Sequence, residues 1–136
     1  MPESRSKTIL VVEDEPDEAS YLRALLEDQG FAVITASDGA EGLEKARACR
    51  PDLITLDVSM PRQSGVRLLR ELGRDPATAA IPVVIITGVS HDIKRFLESR
   101  KHLRPPAAYF DKPPDRGQLL AAIGKLLNGG LPAGSN

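Results

Sequence analysis

The chain has a single cysteine, no tryptophan and few aromatic residues of any kind (4%). Cys49 cannot form a disulfide within the chain, and nothing in the sequence suggests the histidine partner that a catalytic thiol needs. We therefore expect an inert, partly buried residue near a helix end. The 18 basic and 19 acidic residues nearly cancel. Such a balance gives the molecule no overall charge that attracts nucleic acid or an anionic membrane, and we expect neither as a partner.

Long apolar runs are missing as well. No stretch is long enough to span a bilayer and no secretion signal opens the chain, so a cytoplasmic location is expected. At 136 residues with 41% hydrophobic residues, the chain can bury one core. We expect one domain at residues 7–128, a disordered N-terminus at residues 1–6 and a flexible tail or linker at residues 129–136.

Five short apolar runs alternate with stretches of helical periodicity. The runs predict strands that are covered on both faces: Thr8 to Val12, Phe31 to Ala36, Asp52 to Asp57, Pro82 to Thr87 and Ala107 to Phe110. The other stretches predict helices: Pro16 to Gln29, Asp38 to Ala48, Ser64 to Arg74, His91 to Leu103 and Asp115 to Asn128. Helix two has only a thin stripe of Ala40, Leu43 and Arg47. This alternation predicts a doubly wound parallel α/β sheet.

Polar residues stand where these strands end. They are Glu13, Asp14, Asp57, Thr87 and Lys112. Because parallel strands end at one edge of a sheet, where such folds bind ligands, these side chains are expected to meet. Carboxylates bind a hard divalent cation, whereas ammonium and hydroxyl groups stabilise phosphoryl oxygens. The set predicts phosphoryl transfer, with Asp57 on the middle strand as the nucleophile.

Four motifs occur in order at these strand ends: Val-Val-Glu-Asp-Glu (Val11 to Glu15), Asp-x-x-Met-Pro-x-x-x-Gly (Asp57 to Gly65), Thr87-Gly88 and Lys112-Pro113. Jointly they make the chain, from Lys7 to about Asn128, resemble the receiver domains of bacterial two-component response regulators, typified by the chemotaxis regulator. The resemblance implies a flavodoxin-like sheet of five strands in the order 2-1-3-4-5 with five helices.

The resemblance also assigns a metal and a phosphorylation site. Asp57 would accept the phosphoryl group, and Mg²⁺ would be held by Asp14, Asp57 and the backbone carbonyl of Ser59. Glu13 would reach the ion through water, and Lys112 would pair with the phosphoryl oxygens.

A switch is implied in the same way. Thr87 would move to bond a phosphoryl oxygen, and Tyr109 would turn inward into the space that it leaves. The Lys112–Pro113 peptide bond is expected to be cis. Ser59 and Val89 occupy positions that tune the phosphoryl lifetime, but neither identifies a rate.

The function that the resemblance implies is signal relay. A sensor histidine kinase or a histidine phosphotransfer protein would donate the phosphoryl group, and the chain would catalyse only its own modification. Helix four, strand five and helix five would then present a changed face to a downstream protein or a fused output domain. Ala108 and Pro114 stand where many DNA-binding regulators carry Asp and Phe, which argues against the usual transcription-factor dimer.

Two other classes stay open. An aspartate-nucleophile phosphatase of similar topology needs a cap segment and usually a second Asp two residues after the nucleophile, where this chain has Ser59. A pseudo-receiver keeps the fold and binds partners without phosphorylation. Basic residues around helix four are read first as a solvated face and then as a docking patch for an acidic partner: Lys94, Arg95, Arg100, Lys101, His102 and Arg104.

Overall fold

The computed structural model describes residues 7–57, 62–88, 90–99 and 105–128, with the backbone alone described at 62–64 and 90–93. The terminal segments predicted at 1–6 and 129–136 lie outside these residues. Among the helices of the described ranges, none is long and apolar enough to cross a membrane.

Five parallel strands form one sheet. They are β1 (Thr8–Val12), β2 (Ala32–Ala36), β3 (Leu53–Leu56), β4 (Val83–Thr87) and β5 (Ala108–Asp111). Their order is β2-β1-β3-β4-β5, which confirms the predicted flavodoxin-like topology. The three inner strands are almost wholly buried because helices cover both faces of the sheet, as their continuous apolar runs predict.

Five helices connect the strands. They are α1 (Pro16–Asp28), α2 (Gly39–Cys49), α3 (Arg62–Arg74), α4 (Ser90–Glu98) and α5 (Arg116–Leu127). The carboxylates of Asp38 and Asp115 accept hydrogen bonds from the N–H groups of Glu41 and Gln118, at 2.8 and 2.9 Å. These two N-caps set the first residues of α2 and α5.

Helix α4 ends at Glu98 rather than at the predicted Leu103. The Ser99 N–H lies 3.2 Å from the carbonyl oxygens of both Arg95 and Phe96, and its hydroxyl donates to the Phe96 carbonyl at 2.6 Å. These bonds satisfy carbonyl groups of the last turn, which is how a helix closes. The rest of the predicted helix, residues 100–103, lies outside the described residues.

The core divides into one cluster on each face of the sheet. The first cluster joins β1, β3 and β4 to α2, α3 and α4, and its largest members include Leu10, Ile54, Leu56, Leu69, Leu72 and Ile85. The second cluster joins the same strands to α1 and α5, and it includes Ile9, Leu22, Leu26, Leu53, Leu119 and Ile123. The buried faces of α1 and α5 are those that their leucine spacing predicts.

Helix α2 corrects two predictions. Its buried residues are Gly39, Gly42 and Ala46, and Ala40 and Arg47 of the expected stripe are exposed. A Cβ atom on Gly42 would stand 3.0 Å from a γ-methyl of Val12, so the glycine lets α2 lie close to β1. Cys49, expected to be partly buried, ends the helix on its exposed side.

Thr55 is a polar residue in the middle strand whose buried hydroxyl has no hydrogen-bond partner among the described residues. Burying an unpaired hydroxyl costs free energy that an apolar group of the same shape avoids. Thr55→Val is therefore expected to raise the free energy of unfolding by about 1 kcal/mol, measured by urea denaturation. Thr35→Val on the edge strand β2, where the residue is half-buried, serves as the control. A destabilised Thr55→Val would show that the hydroxyl contributes a bond in solution.

Candidate functional site

Adjacent parallel strands bring three carboxylates to one edge of the sheet. Glu13 and Asp14 follow β1, and Asp57 follows β3. The backbone continues the strand pairing there, since the Asp57 N–H donates to the Val12 carbonyl at 3.0 Å and the Glu13 N–H donates to the Ala36 carbonyl at 2.9 Å. One carboxylate oxygen from each acidic residue lies within 4.8 Å of the other two. The three acidic residues predicted to meet are therefore together.

The three carboxylates differ in burial. Glu13 and Asp57 are each 3% exposed, whereas Asp14 is exposed at the mouth of the cluster. Burial and the neighbouring Asp57 carboxyl raise the pKa of Glu13 to about 8. Two buried carboxylates at this separation repel each other, so one of them keeps a proton unless a cation compensates.

Lys112 supplies a cation from the end of β5. Its N–H donates to the Thr87 carbonyl at 3.0 Å, and its ammonium donates to Asp57 Oδ2 at 2.7 Å and to Glu13 Oε1 at 3.2 Å. The same ammonium pairs with Glu18 on α1. Burial works against the charge of Lys112, but the Asp57 and Glu18 carboxylates outweigh it and hold its pKa above the usual value. The lysine is charged and partly neutralises the acidic cluster.

The predicted switch residues lie on the neighbouring strands. Thr87 ends β4 and is fully buried, and Tyr109 pairs in register with Ile85 and packs against the first core cluster. The Lys94 ammonium stands 5.8 Å from the centre of the Tyr109 ring, within cation–π range. Burial, and then the Glu98 charge, raise the pKa of Tyr109. The movement of both side chains stays a prediction.

Other predicted features have mixed outcomes. The Lys112–Pro113 bond is cis, as the resemblance implies. Ser59 and Val89 lie outside the described residues. Of the six basic residues around helix four, Lys94 and Arg95 are exposed on α4, and the side chains of the other four lie outside the described residues.

Glu18 is a part of this constellation that sequence reasoning missed. It stands in the first turn of α1, where an acidic residue also complements the helix dipole and therefore gives no distinct signal. Its contact with Lys112 joins residues 94 positions apart, which only the packing of α1 in the second core cluster, together with β4 and α5, brings together. A cavity of about 320 Å³ opens beside this contact, lined by Glu18, Tyr21, Leu22, Ile86, Pro113 and Pro114 among others.

Residues 9–124 match the response regulator receiver domain family. Together with the sheet order and the acidic cluster, this match shows that the chain belongs to that family, which serves two-component signalling and is not an ordinary enzyme family. The chain is 36% identical over 121 residues to the protein PilH of Pseudomonas aeruginosa, covering 89% of this chain and 98% of PilH.

Two further similarities place receiver domains within larger kinases. The chain is 35% identical over 119 residues to hybrid signal transduction histidine kinase D of Dictyostelium discoideum, covering 88% of this chain but only 7% of that protein. Its fold also matches the receiver domain of the Pseudomonas aeruginosa sensor histidine kinase PA1611, with a TM-score of 0.80 and 24% identity over 91% of this chain and 99% of that domain. That structure has a magnesium ion coordinated in its active-site cleft.

Proposed function

We propose that this chain is a phosphoacceptor switch in which Asp57 takes a phosphoryl group from a partner histidine kinase or a histidine phosphotransfer protein. The observation that carries the proposal is the position of Asp57, buried beside Glu13 and Asp14 and bonded at 2.7 Å to the Lys112 ammonium. Family membership implies a kinase partner in general, and the identity of that partner belongs to the proposal.

In the proposed step, a carboxylate oxygen of Asp57 attacks the phosphorus of a phosphohistidine. The new P–O bond forms as the P–N bond breaks, and the donor imidazole keeps the electron pair of the broken bond. Lys112 already holds a positive charge beside Asp57 before the donor arrives, and this charge stabilises the negative charge on the phosphoryl oxygens.

The donor set fits Mg²⁺, which takes carboxylate and carbonyl oxygens. Asp14, Asp57 and the backbone carbonyl of Ser59 would hold the ion and Glu13 would reach it through water, as expected from the resemblance; the gathered oxygens of Glu13, Asp14 and Asp57 support this assignment. When bound, the ion supplies positive charge that offsets the repulsion between a carboxylate and an anionic donor. The magnesium-bound PA1611 receiver domain offers a precedent on the same fold.

The proposed readout runs through Thr87 and Tyr109 to the face made by α4, β5 and α5. A phosphoryl group adds a charge of about −1.5 to −2 at neutral pH, and it can shift a conformational equilibrium only through contacts that differ between the two states. Two observations support a difference in contacts between the two states. Thr87 is buried beside the site, and the Lys94 ammonium contacts the Tyr109 ring. Two statements stay predictions: that a downstream protein or a fused output domain binds this face, and that the protein is cytoplasmic.

Intact-mass spectrometry after incubation with acetyl phosphate and Mg²⁺ tests the proposal. We expect the native chain to gain the mass of one phosphoryl group and to lose this gain in EDTA. Asp57→Asn is expected to abolish the gain, whereas Asp28→Asn, an exposed aspartate at the end of α1, is expected to keep it. No gain in the native chain would favour a pseudo-receiver that acts by binding alone.

A further inference from the structure

Three carboxylates from three different segments share the Lys112 ammonium. Asp57 follows β3, Glu13 follows β1 and Glu18 belongs to α1. A lysine ammonium carries three N–H donors. In this arrangement each donor therefore has its own carboxylate, and Lys112 has no donor left for a further oxygen.

A phosphoryl oxygen on Asp57 can bond to Lys112 only if one of these carboxylates gives up its place. The Glu13 side chain is 1% exposed and belongs to the acidic cluster, and Asp57 itself carries the incoming group. The Glu18 side chain is 46% exposed, so water can take over its hydrogen bonds when it leaves. Release of Glu18 therefore costs the least free energy of the three.

We propose that Glu18 is a positioning residue that holds the Lys112 ammonium in the unphosphorylated state and is exchanged for a phosphoryl oxygen when Asp57 is modified. The ion pair then competes with phosphorylation, and it sets how readily Lys112 becomes available. The inference rests on the proposed function. It adds a residue of α1, outside the group of carboxylates that fits the metal, to the control of the switch.

Binding of beryllofluoride, a phosphoryl mimic that attaches to the aspartate without group transfer, isolates this competition from the rate of chemistry. Titration calorimetry in the presence of Mg²⁺ would compare the native chain with Glu18→Gln, which keeps the shape of the side chain and removes its charge. Asp17→Asn is the matched control, because it removes one charge from the same exposed turn of α1 and Asp17 is not a partner of Lys112.

Glu18→Gln is expected to bind beryllofluoride about two- to fivefold more tightly than the native chain, the range for loss of a partly exposed ion pair. The gain should shrink as salt is raised, and Asp17→Asn should change the affinity little. Equal or weaker binding by Glu18→Gln would overturn the inference. An equal gain in both variants would also overturn it, because it would show a general electrostatic effect of removing one negative charge from this turn of α1. Failure of the native chain to bind beryllofluoride would refute the proposed function as well as the inference. The behaviour of the native chain therefore distinguishes failure of the proposed function from failure of the inference alone.

Discussion

Lys112→Met is expected to slow phosphorylation of Asp57 by acetyl phosphate about 10²- to 10³-fold, the usual effect of removing one preorganised group that stabilises developing negative charge. The Lys112 ammonium bonds directly to Asp57, at 2.7 Å, and its partly buried position makes its charge more effective than it would be in water. Methionine keeps much of the length of the side chain while it removes the ammonium.

The rate would be followed by intact mass over time at saturating Mg²⁺. Lys125→Met, an exposed lysine in the last turn of α5, is the control and is expected to react at the native rate. Mg²⁺ binding should survive in Lys112→Met, because the ligand oxygens belong to the acidic residues. A variant that binds Mg²⁺ and is phosphorylated at the native rate would remove Lys112 from the proposed mechanism.

The strands could be predicted almost to the residue because each is a short, continuous apolar run. In β4, for example, the run Val83–Thr87 is buried throughout, and its five apolar or β-branched residues, bounded by Pro82 and Gly88, are too few for a buried helix. The strand ends then located Asp57 and Lys112, because parallel strands place their carboxyl ends on one edge of the sheet.

Helix α2 shows where the pattern failed. Its buried positions carry glycine and alanine, so the face that packs on β1 has no hydrophobic signal, and close backbone approach replaces side-chain volume. Of the predicted stripe, only Leu43 lies near the buried face of α2, since it packs against the first core cluster while partly exposed. Small residues at a tight helix–sheet contact are invisible to a search for apolar stripes.

Glu18 was missed for a different reason. Motif spacing identifies residues that end strands, but Glu18 reaches Lys112 from the surface of a helix, and this contact depends on how α1 packs over the sheet. The leucine spacing of α1 predicts which face of the helix is buried, but the elements that this face packs against follow from the tertiary arrangement of the second core cluster. The acidic cluster could be predicted, whereas the distribution of its bonds could not.

Magnesium affinity is expected to rise by up to about tenfold with each unit of pH increase until about pH 8, and to level off at higher pH. Burial and the Asp57 carboxyl raise the pKa of Glu13 to about 8, so the metal-free site holds a proton at neutral pH. An ion entering among these carboxylates favours release of that proton, and raising the pH removes the competition. Titration calorimetry in buffers of different ionisation enthalpy would count about one proton released per ion near pH 6.5 and fewer above pH 9.

Glu13→Gln is the matched variant for this linkage, since it has no proton to release and should bind Mg²⁺ with a much flatter dependence on pH.

The raised pKa of Glu13 has a second consequence, for the stability of the metal-free protein. The folded state holds a proton on Glu13 up to about pH 8, whereas an unfolded glutamate loses it near its usual pKa of 4.5. The contribution of Glu13 to the free energy of unfolding therefore falls as the pH rises between these values, and Mg²⁺ should restore stability most at the upper end. Equal Mg²⁺ affinities of the native chain at pH 6.5 and pH 8 would contradict the coupling.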